Sequence, residues 1–224
     1  MLNQSPYRFL FLLIALVAFV TVVPVLEELG YGGVILPIFY SIILLSAAYA
    51  VSESRGHFIL ALILAGPALV LRWINNFLEV PWLQFVVEVL TVLFLLLVAM
   101  LILSHVLKTE RVSREKIFGA LSVYLLLGFI WAILFMIVDF LVPGSLRHGQ
   151  DQALTGAQMV YYSFVTLTTL GYGDIVPIAP SARALATLEA ITGQLYLTVL
   201  VARLVGLHIT HSSKQNRPRD QEES

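Results

Sequence analysis

The side chains able to do chemistry in this chain are few. There is no cysteine, which excludes disulfides, thiolate metal sites and a sulfur nucleophile. His, Asp and Glu do not recur at metal-ligand spacing and no nucleophile motif occurs, so nothing supports an enzyme. What remains is a run rich in hydroxyls and glycine, Thr166-Leu167-Thr168-Thr169-Leu170-Gly171-Tyr172-Gly173-Asp174. Glycine enters φ > 0 without a steric penalty, so Gly171 and Gly173 allow a backbone that alternates in hand and aims successive carbonyl oxygens to one side. In a soluble protein, Gly-Tyr-Gly could equally be a plain turn. The elements around the run decide between the two.

Those elements are apolar. Of 224 residues, 59% are hydrophobic and 12% charged, where soluble domains carry roughly 25% charged residues. The mean hydropathy is +0.90. A soluble globule could not hide this surface, so the class is integral membrane protein. Thirteen basic and fourteen acidic residues give a net charge of −1, which gives no footprint for nucleic acid. A span needs about 20 apolar residues. Six stretches qualify, about 8–26, 34–51, 58–74, 83–107, 117–142 and 182–209. Pro67 is expected to kink the third, and Ser181 to cap the sixth. Arg8 and the following apolar run lack a small-residue cleavage pattern, so they form a retained first span.

Charge orients the bundle. Arg8, Arg55, Lys108, Arg111, Arg114, Lys116, Lys214, Arg217 and Arg219 fall on one set of alternating loops, and only Arg72, Arg147 and Arg183 on the other. The richer side is cytoplasmic by the positive-inside rule, which puts both termini inside and requires an even number of spans. The expected organisation is a four-helix region over 1–107, a short linker helix over 108–116, a pore domain over 117–211 and a disordered tail over 212–224. The stretch from about Gly156 to Ile175 lies on the outer side and is too short to cross. A short apolar helix leading into a glycine turn at membrane depth is tolerated only where it is buried in protein or lines a cavity. The fold class is therefore all-α membrane protein, with six spans and a re-entrant pore helix between the last two.

In that context the run resembles the selectivity filter of potassium channels, Thr-Val-Gly-Tyr-Gly, with Leu170 in place of Val. The resemblance covers roughly residues 117–209 and identifies a six-span pore-loop potassium channel without a charged voltage sensor. It implies that the carbonyls of Thr169, Leu170, Gly171 and Tyr172, followed by Gly173, replace the hydration water of K⁺, with the Thr169 hydroxyl innermost. No cofactor is implied beyond the permeant ion. Tyr172 is expected to pack on pore-helix aromatics, Tyr161 and Tyr162, with Thr168 also supporting the filter. Asp174 is either a cation-attracting carboxylate at the outer mouth or a brace for the loop. One chain supplies one loop, so a closed ring needs several copies. The family arrangement is a homotetramer, here in a lipid bilayer of the bacterial inner membrane type.

Other residues take expected roles on the same basis. Glu189, an ionisable group well inside a span, is expected to hydrogen-bond behind the filter to a hydroxyl such as Thr166, or else to face the cavity. Glu88 and Asp139 lie nearer span ends and are expected at the interface. Gly193 lies about 18 Å along the inner helix and is a gating hinge or a close helix contact. Arg203, about 33 Å along near the cytoplasmic mouth, is expected to turn from the pore, or to pair with Glu110 or Glu115, or simply to snorkel. The fourth span, 83–107, holds no Lys or Arg, so voltage has no lever there. His208 and His211 form a candidate pH sensor beside a bland reading as helix-end residues. A weakly selective cation channel, or a potassium-uptake transporter subunit, are the alternatives. The second is disfavoured because no repeated halves occur.

Overall fold

The computed structural model describes residues 7–52, 55–108, 113–149 and 153–215, with side chains described as far as Arg203. Along the chain run α1 (Arg8–Glu28), α2 (Gly32–Ala50), α3 (Arg55–Leu78), α4 (Pro81–Lys108), α5 (Arg114–Leu141), β1 (Leu146–His148), α6 (Gly156–Leu167), β2 (Ile175–Pro177) and α7 (Pro180–Gln215). Six helices, all but α6, are long and apolar enough to cross a membrane. The fold is thus an all-α membrane protein with the expected six spans.

The differences are local. The helix α7 starts at Pro180, so Ser181 lies inside it and is not its cap. Proline suits a first helical position, where its missing N–H leaves no bond unmade. The same helix continues to Gln215, through Ser212 to Lys214, which polar composition assigned to a disordered tail. Residues 216–224, Arg111 and Glu110 lie outside the described residues, as do the side chains of His208 and His211. The expected linker helix is described only at its ends. Ser113 caps α5 by accepting from the Lys116 N–H at 3.4 Å, so 114–116 form the first turn of α5. The strands β1 and β2 were not expected. They pair antiparallel with His148 opposite Ile175, joining the loop after α5 to the loop after the filter run. At three residues each they are too short to show alternation.

The first four helices pack in sequence order, α1 on α2, α2 on α3 and α3 on α4, and the set closes on α5 through both α1 and α4. Phe19 of α1 centres this core, fully buried. Its ring meets Tyr40 of α2 edge-on at 5.1 Å and Phe129 of α5 at 4.9 Å. Phe129 in turn meets Phe164 of α6 at 5.7 Å. Edge-to-face pairs of this kind favour one relative orientation of the rings. An aromatic chain thus links the peripheral helices to the short helix α6.

Glu88 corrects an expectation. It is buried rather than interfacial, and accepts from Arg72 of α3 at 3.3 and 3.4 Å and from the Gln84 amide. The Arg72 guanidinium also lies 4.0 Å from the centre of the Tyr40 ring. Residues 16 apart on two helices meet here, which hydropathy does not reveal. Asp139 is near the end of α5 as expected, and takes the Ser145 N–H and hydroxyl, each at 3.0 Å, to close the following turn. Removing one partner of a buried ion pair costs about 3–5 kcal/mol, whereas replacing both with apolar groups is often neutral. Glu88→Ala is therefore expected to lower the unfolding midpoint in detergent markedly, and the double variant R72M/E88L to recover most of the loss. A single variant as stable as the parent would contradict this account.

Candidate functional site

The short helix α6 starts in a capping box. The Thr155 hydroxyl accepts from the Gln158 N–H at 3.3 Å, and the Gln158 side chain accepts from the Thr155 N–H at 2.9 Å. Twelve residues give a length of about 18 Å, well short of a bilayer. Close approach to α5 is made possible by Gly128: a Cβ there would lie 2.6 Å from the Phe164 ring. The helix ends at Leu167, and Thr168 turns its hydroxyl back to the Phe164 carbonyl at 2.6 Å.

Beyond that point the backbone alternates in hand. Thr169, Gly171 and Gly173 have φ of 58°, 61° and 80°, and no positive φ occurs at Leu170 or Tyr172 between them. The glycines were expected there. Thr169 was not, because a β-branched residue in this region is a genuine outlier that the surroundings must hold in place. The N–H groups of this stretch turn back on α6: Thr169 donates to the Thr166 carbonyl at 2.9 Å, and Leu170 and Gly171 to that of Val165 at 2.9 and 3.4 Å. Among the described residues, no main-chain hydrogen bond is accepted by the carbonyls of 169–173. The segment 168–174 is exposed on the single chain. Donors are thus consumed inward and a row of acceptors is left free, which suits a dehydrated cation.

The supporting residues divide. Tyr161 hydrogen-bonds Asp174 and lies near Tyr172. Tyr162 does not share that side. It is buried against Phe135 of α5, with ring centres 4.9 Å apart, and bonds Thr166. Neighbours on a helix point about 100° apart, so only one of the pair can face Tyr172. The hydroxyl that Glu189 meets on α6 is that of Ser163, not the expected Thr166. The two lie 2.5 Å apart, behind the filter and fully buried. A buried serine on the inward face of α6 was the signal, overlooked because the hydroxyls of the filter run lay nearer in sequence.

The inner helix carries the remaining contacts. A Cβ built on Gly193 would lie 2.2 Å from the Leu167 carbonyl oxygen, so the structure provides the close-contact role for this glycine. Gln194, which motif reasoning missed, donates to the Thr169 hydroxyl at 3.4 Å. The Tyr196 hydroxyl donates to the Ala120 carbonyl at 2.6 Å and ties α7 to α5. Arg203 donates to the Leu107 carbonyl at the end of α4, where helix carbonyls lack partners. Glu115 pairs with Arg8 at 2.9 Å rather than with Arg203.

Burial works to raise the Asp174 carboxyl. The hydrogen bond from Tyr161, backbone N–H bonds and nearby His148 outweigh it and hold the group below its ordinary value. A depressed carboxyl keeps its charge to lower pH. The negative charge of this exposed carboxyl is therefore full at neutral pH and is lost only as pH falls through the depressed value. The charge on Asp174, followed by NMR titration, is expected to be flat from pH 7 down to about 4, the usual carboxylate range, and to fall below it. Tyr161→Phe removes the donor, so its decline starts at higher pH. Identical pH profiles would refute this linkage.

Comparison with known proteins follows the same segment. Residues 119–208 match a family described as "Ion channel". The voltage-gated potassium channel of Aeropyrum pernix is 30% identical over 92 residues, 41% of this chain and 28% of that one. The inward rectifier potassium channel Kirbac3.1 of Paramagnetospirillum magnetotacticum is 49% identical over 39 residues, 17% of this chain and 13% of that one. Protein LctB of Bacillus caldotenax is 32% identical over 104 residues, 43% of this chain and 75% of that protein. The chain thus spans under a third of either potassium-channel relative. No solved structure matches.

Proposed function

This chain belongs to the ion-channel family, and we propose that it is a passive potassium-selective channel built from four identical copies. The filter would be formed by the carbonyls of Thr169, Leu170, Gly171 and Tyr172 and by Gly173, with the Thr169 hydroxyl innermost. The observation that carries this reading is the alternation in hand at Thr169, Gly171 and Gly173, with the carbonyls there left unpaired. Potassium enters a narrow site only if oxygens replace its water at similar cost, and four converging rows supply them.

A surface in need of a partner supports several copies. Leu188, Ile191, Leu195 and Val199 on α7 are 49–60% exposed in the single chain, and Tyr172 is 67% exposed. Their spacing places the α7 residues along one helix face. Cyclic packing of copies would cover that face and bring the loops to one axis. The α6 carbonyl end would then contribute its negative dipole pole toward the axis. In this arrangement α6 and the run 168–174 re-enter the outer side of a plasma membrane, and both termini are cytoplasmic. The pore domain would comprise 117–211, behind the four-helix region 1–107 and the linker 108–116.

Gating by voltage through α4 is not part of the proposal. Between Pro81 and Leu107 it has no Lys or Arg, and each charge moved would yield about 2.3 kcal/mol per 100 mV. The test is the reversal potential of purified protein in planar bilayers under opposed potassium and sodium gradients. A value near the potassium equilibrium potential supports the proposal. Equal permeability would replace it by a weakly selective cation channel.

A further inference from the structure

The Ser163 hydroxyl sits between two oxygens, each able to accept. It lies 2.7 Å from the Gly128 carbonyl of α5 and 2.5 Å from Glu189 Oε1 of α7. Ser163 and Glu189 are both fully buried, so water does not mediate. A serine hydroxyl has one proton. Were Glu189 ionised, that proton could satisfy only one of the two neighbours, leaving the other in an oxygen–oxygen contact with no hydrogen between. The second carboxyl oxygen, Oε2, is buried and has no hydrogen-bond partner among the described residues. An ionised carboxylate would leave charge on that oxygen with nothing to stabilise it, at heavy cost. The two ion pairs formed among the described residues, Arg8 with Glu115 and Arg72 with Glu88, do not involve Glu189. The titratable groups that face it are tyrosines, Tyr124 from α5 and Tyr162 from α6.

We propose that Glu189 is a positioning residue that acts as an uncharged donor: its carboxyl proton goes to Ser163, whose own proton goes to the Gly128 carbonyl. This relay of two protons fastens the inner helix α7, the short helix α6 and the outer helix α5 at one buried point. Val165, two residues beyond Ser163, holds the filter N–H groups of Leu170 and Gly171. The relay therefore fixes the base on which the filter carbonyls are aimed. The inference rests on the conduction reading for its effect on flux, but not for the state of the carboxyl.

Two measurements test it, and they fail separately. The first is infrared difference spectroscopy at pH 7 of purified parent and Glu189→Gln protein. The expected result is a carbonyl band of a protonated carboxyl in the parent that is missing from E189Q and shifts to higher frequency in Ser163→Ala, where its acceptor is gone. This readout needs no ion flux, so it stands whether or not the protein conducts potassium. The second is potassium flux from proteoliposomes. A glutamine amide is neutral and can donate to Ser163, so E189Q is expected to retain flux within about twofold, whereas E189L and S163A fall by about tenfold or more. Spectra of parent and E189Q that do not differ in that region overturn the proposal. So does an E189Q protein that fails to assemble, or that assembles and loses flux as E189L does while the parent conducts.

Discussion

On the proposed reading, Gly171→Ala is expected to abolish selective potassium flux while the protein still inserts and assembles. The cause is conformation rather than space. Gly171 has φ of +61°, and a Cβ built there meets nothing within 4 Å in the single chain. An L residue in this region costs roughly 1–2 kcal/mol, and the cheapest escape is to rotate the peptide unit back to negative φ. That rotation turns a carbonyl away from its neighbours. In the proposed ring of four copies all four would turn together, so the expense would recur at each and an oxygen layer would be lost. The expected result is a reversal potential that no longer follows the potassium gradient, with unchanged yield and oligomer size in detergent. Preserved selectivity in this variant would remove the physical basis of the filter assignment.

Gly193→Ala is expected to be nearly as severe, for a different reason. Here the backbone is helical and would accept alanine gladly. The obstacle is the Leu167 carbonyl oxygen 2.2 Å from the added Cβ, with Leu167 Cδ1 at 3.0 Å. A side-chain tip can swing aside, but a main-chain oxygen moves only with its helix. Leu167 is the last residue of α6, two residues beyond Val165, whose carbonyl accepts from the N–H groups of Leu170 and Gly171. Separating α6 from α7 by even an ångström therefore shifts the filter base. Overpacking of this kind costs about 1–3 kcal/mol or more in a close-packed interior. A drop of at least about tenfold in potassium flux follows if the loss falls on the conducting geometry. A glycine serving only as a hinge would respond otherwise: alanine would alter opening and closing and leave selectivity alone. Measuring the reversal potential of G193A separates the two, and an unchanged value with altered open time would favour the hinge.

What could be read in the chain depended on sequence distance. The six spans rest on composition over about twenty residues each, and all six are present. The run 169–173 was legible because its residues are consecutive, so the motif and the alternating backbone fall on one stretch. Residues that meet across helices were not legible. Arg72 with Glu88 and Ser163 with Glu189 are 16 and 26 positions apart, and hydropathy cannot say which faces will touch. Glu189 was identified as needing a partner because a lone carboxyl in a span needs one, yet Ser163 could not be distinguished from Thr166 without the helix rotation. Tyr161 and Tyr162 illustrate the same limit at its smallest, since one step along α6 separates the side that faces Tyr172 from the side that faces Phe135. The left-handed backbone at Thr169 escaped notice because residue type argues against it, and the bonds to α6 that hold it are tertiary.

The grip of Arg203 on the Leu107 carbonyl has a mechanical corollary. It couples the end of α4 to α7 ten residues beyond Gly193, so the peripheral bundle is hitched to the later part of that helix. A helix longer than the local bilayer responds to a change in thickness by tilting. Tilt of α4 would then be delivered to α7 at Arg203. Bilayers of graded acyl length are thus the natural dial to turn, and cutting the hitch with Arg203→Leu, which removes the side-chain donor, is expected to uncouple ion flux from that dial.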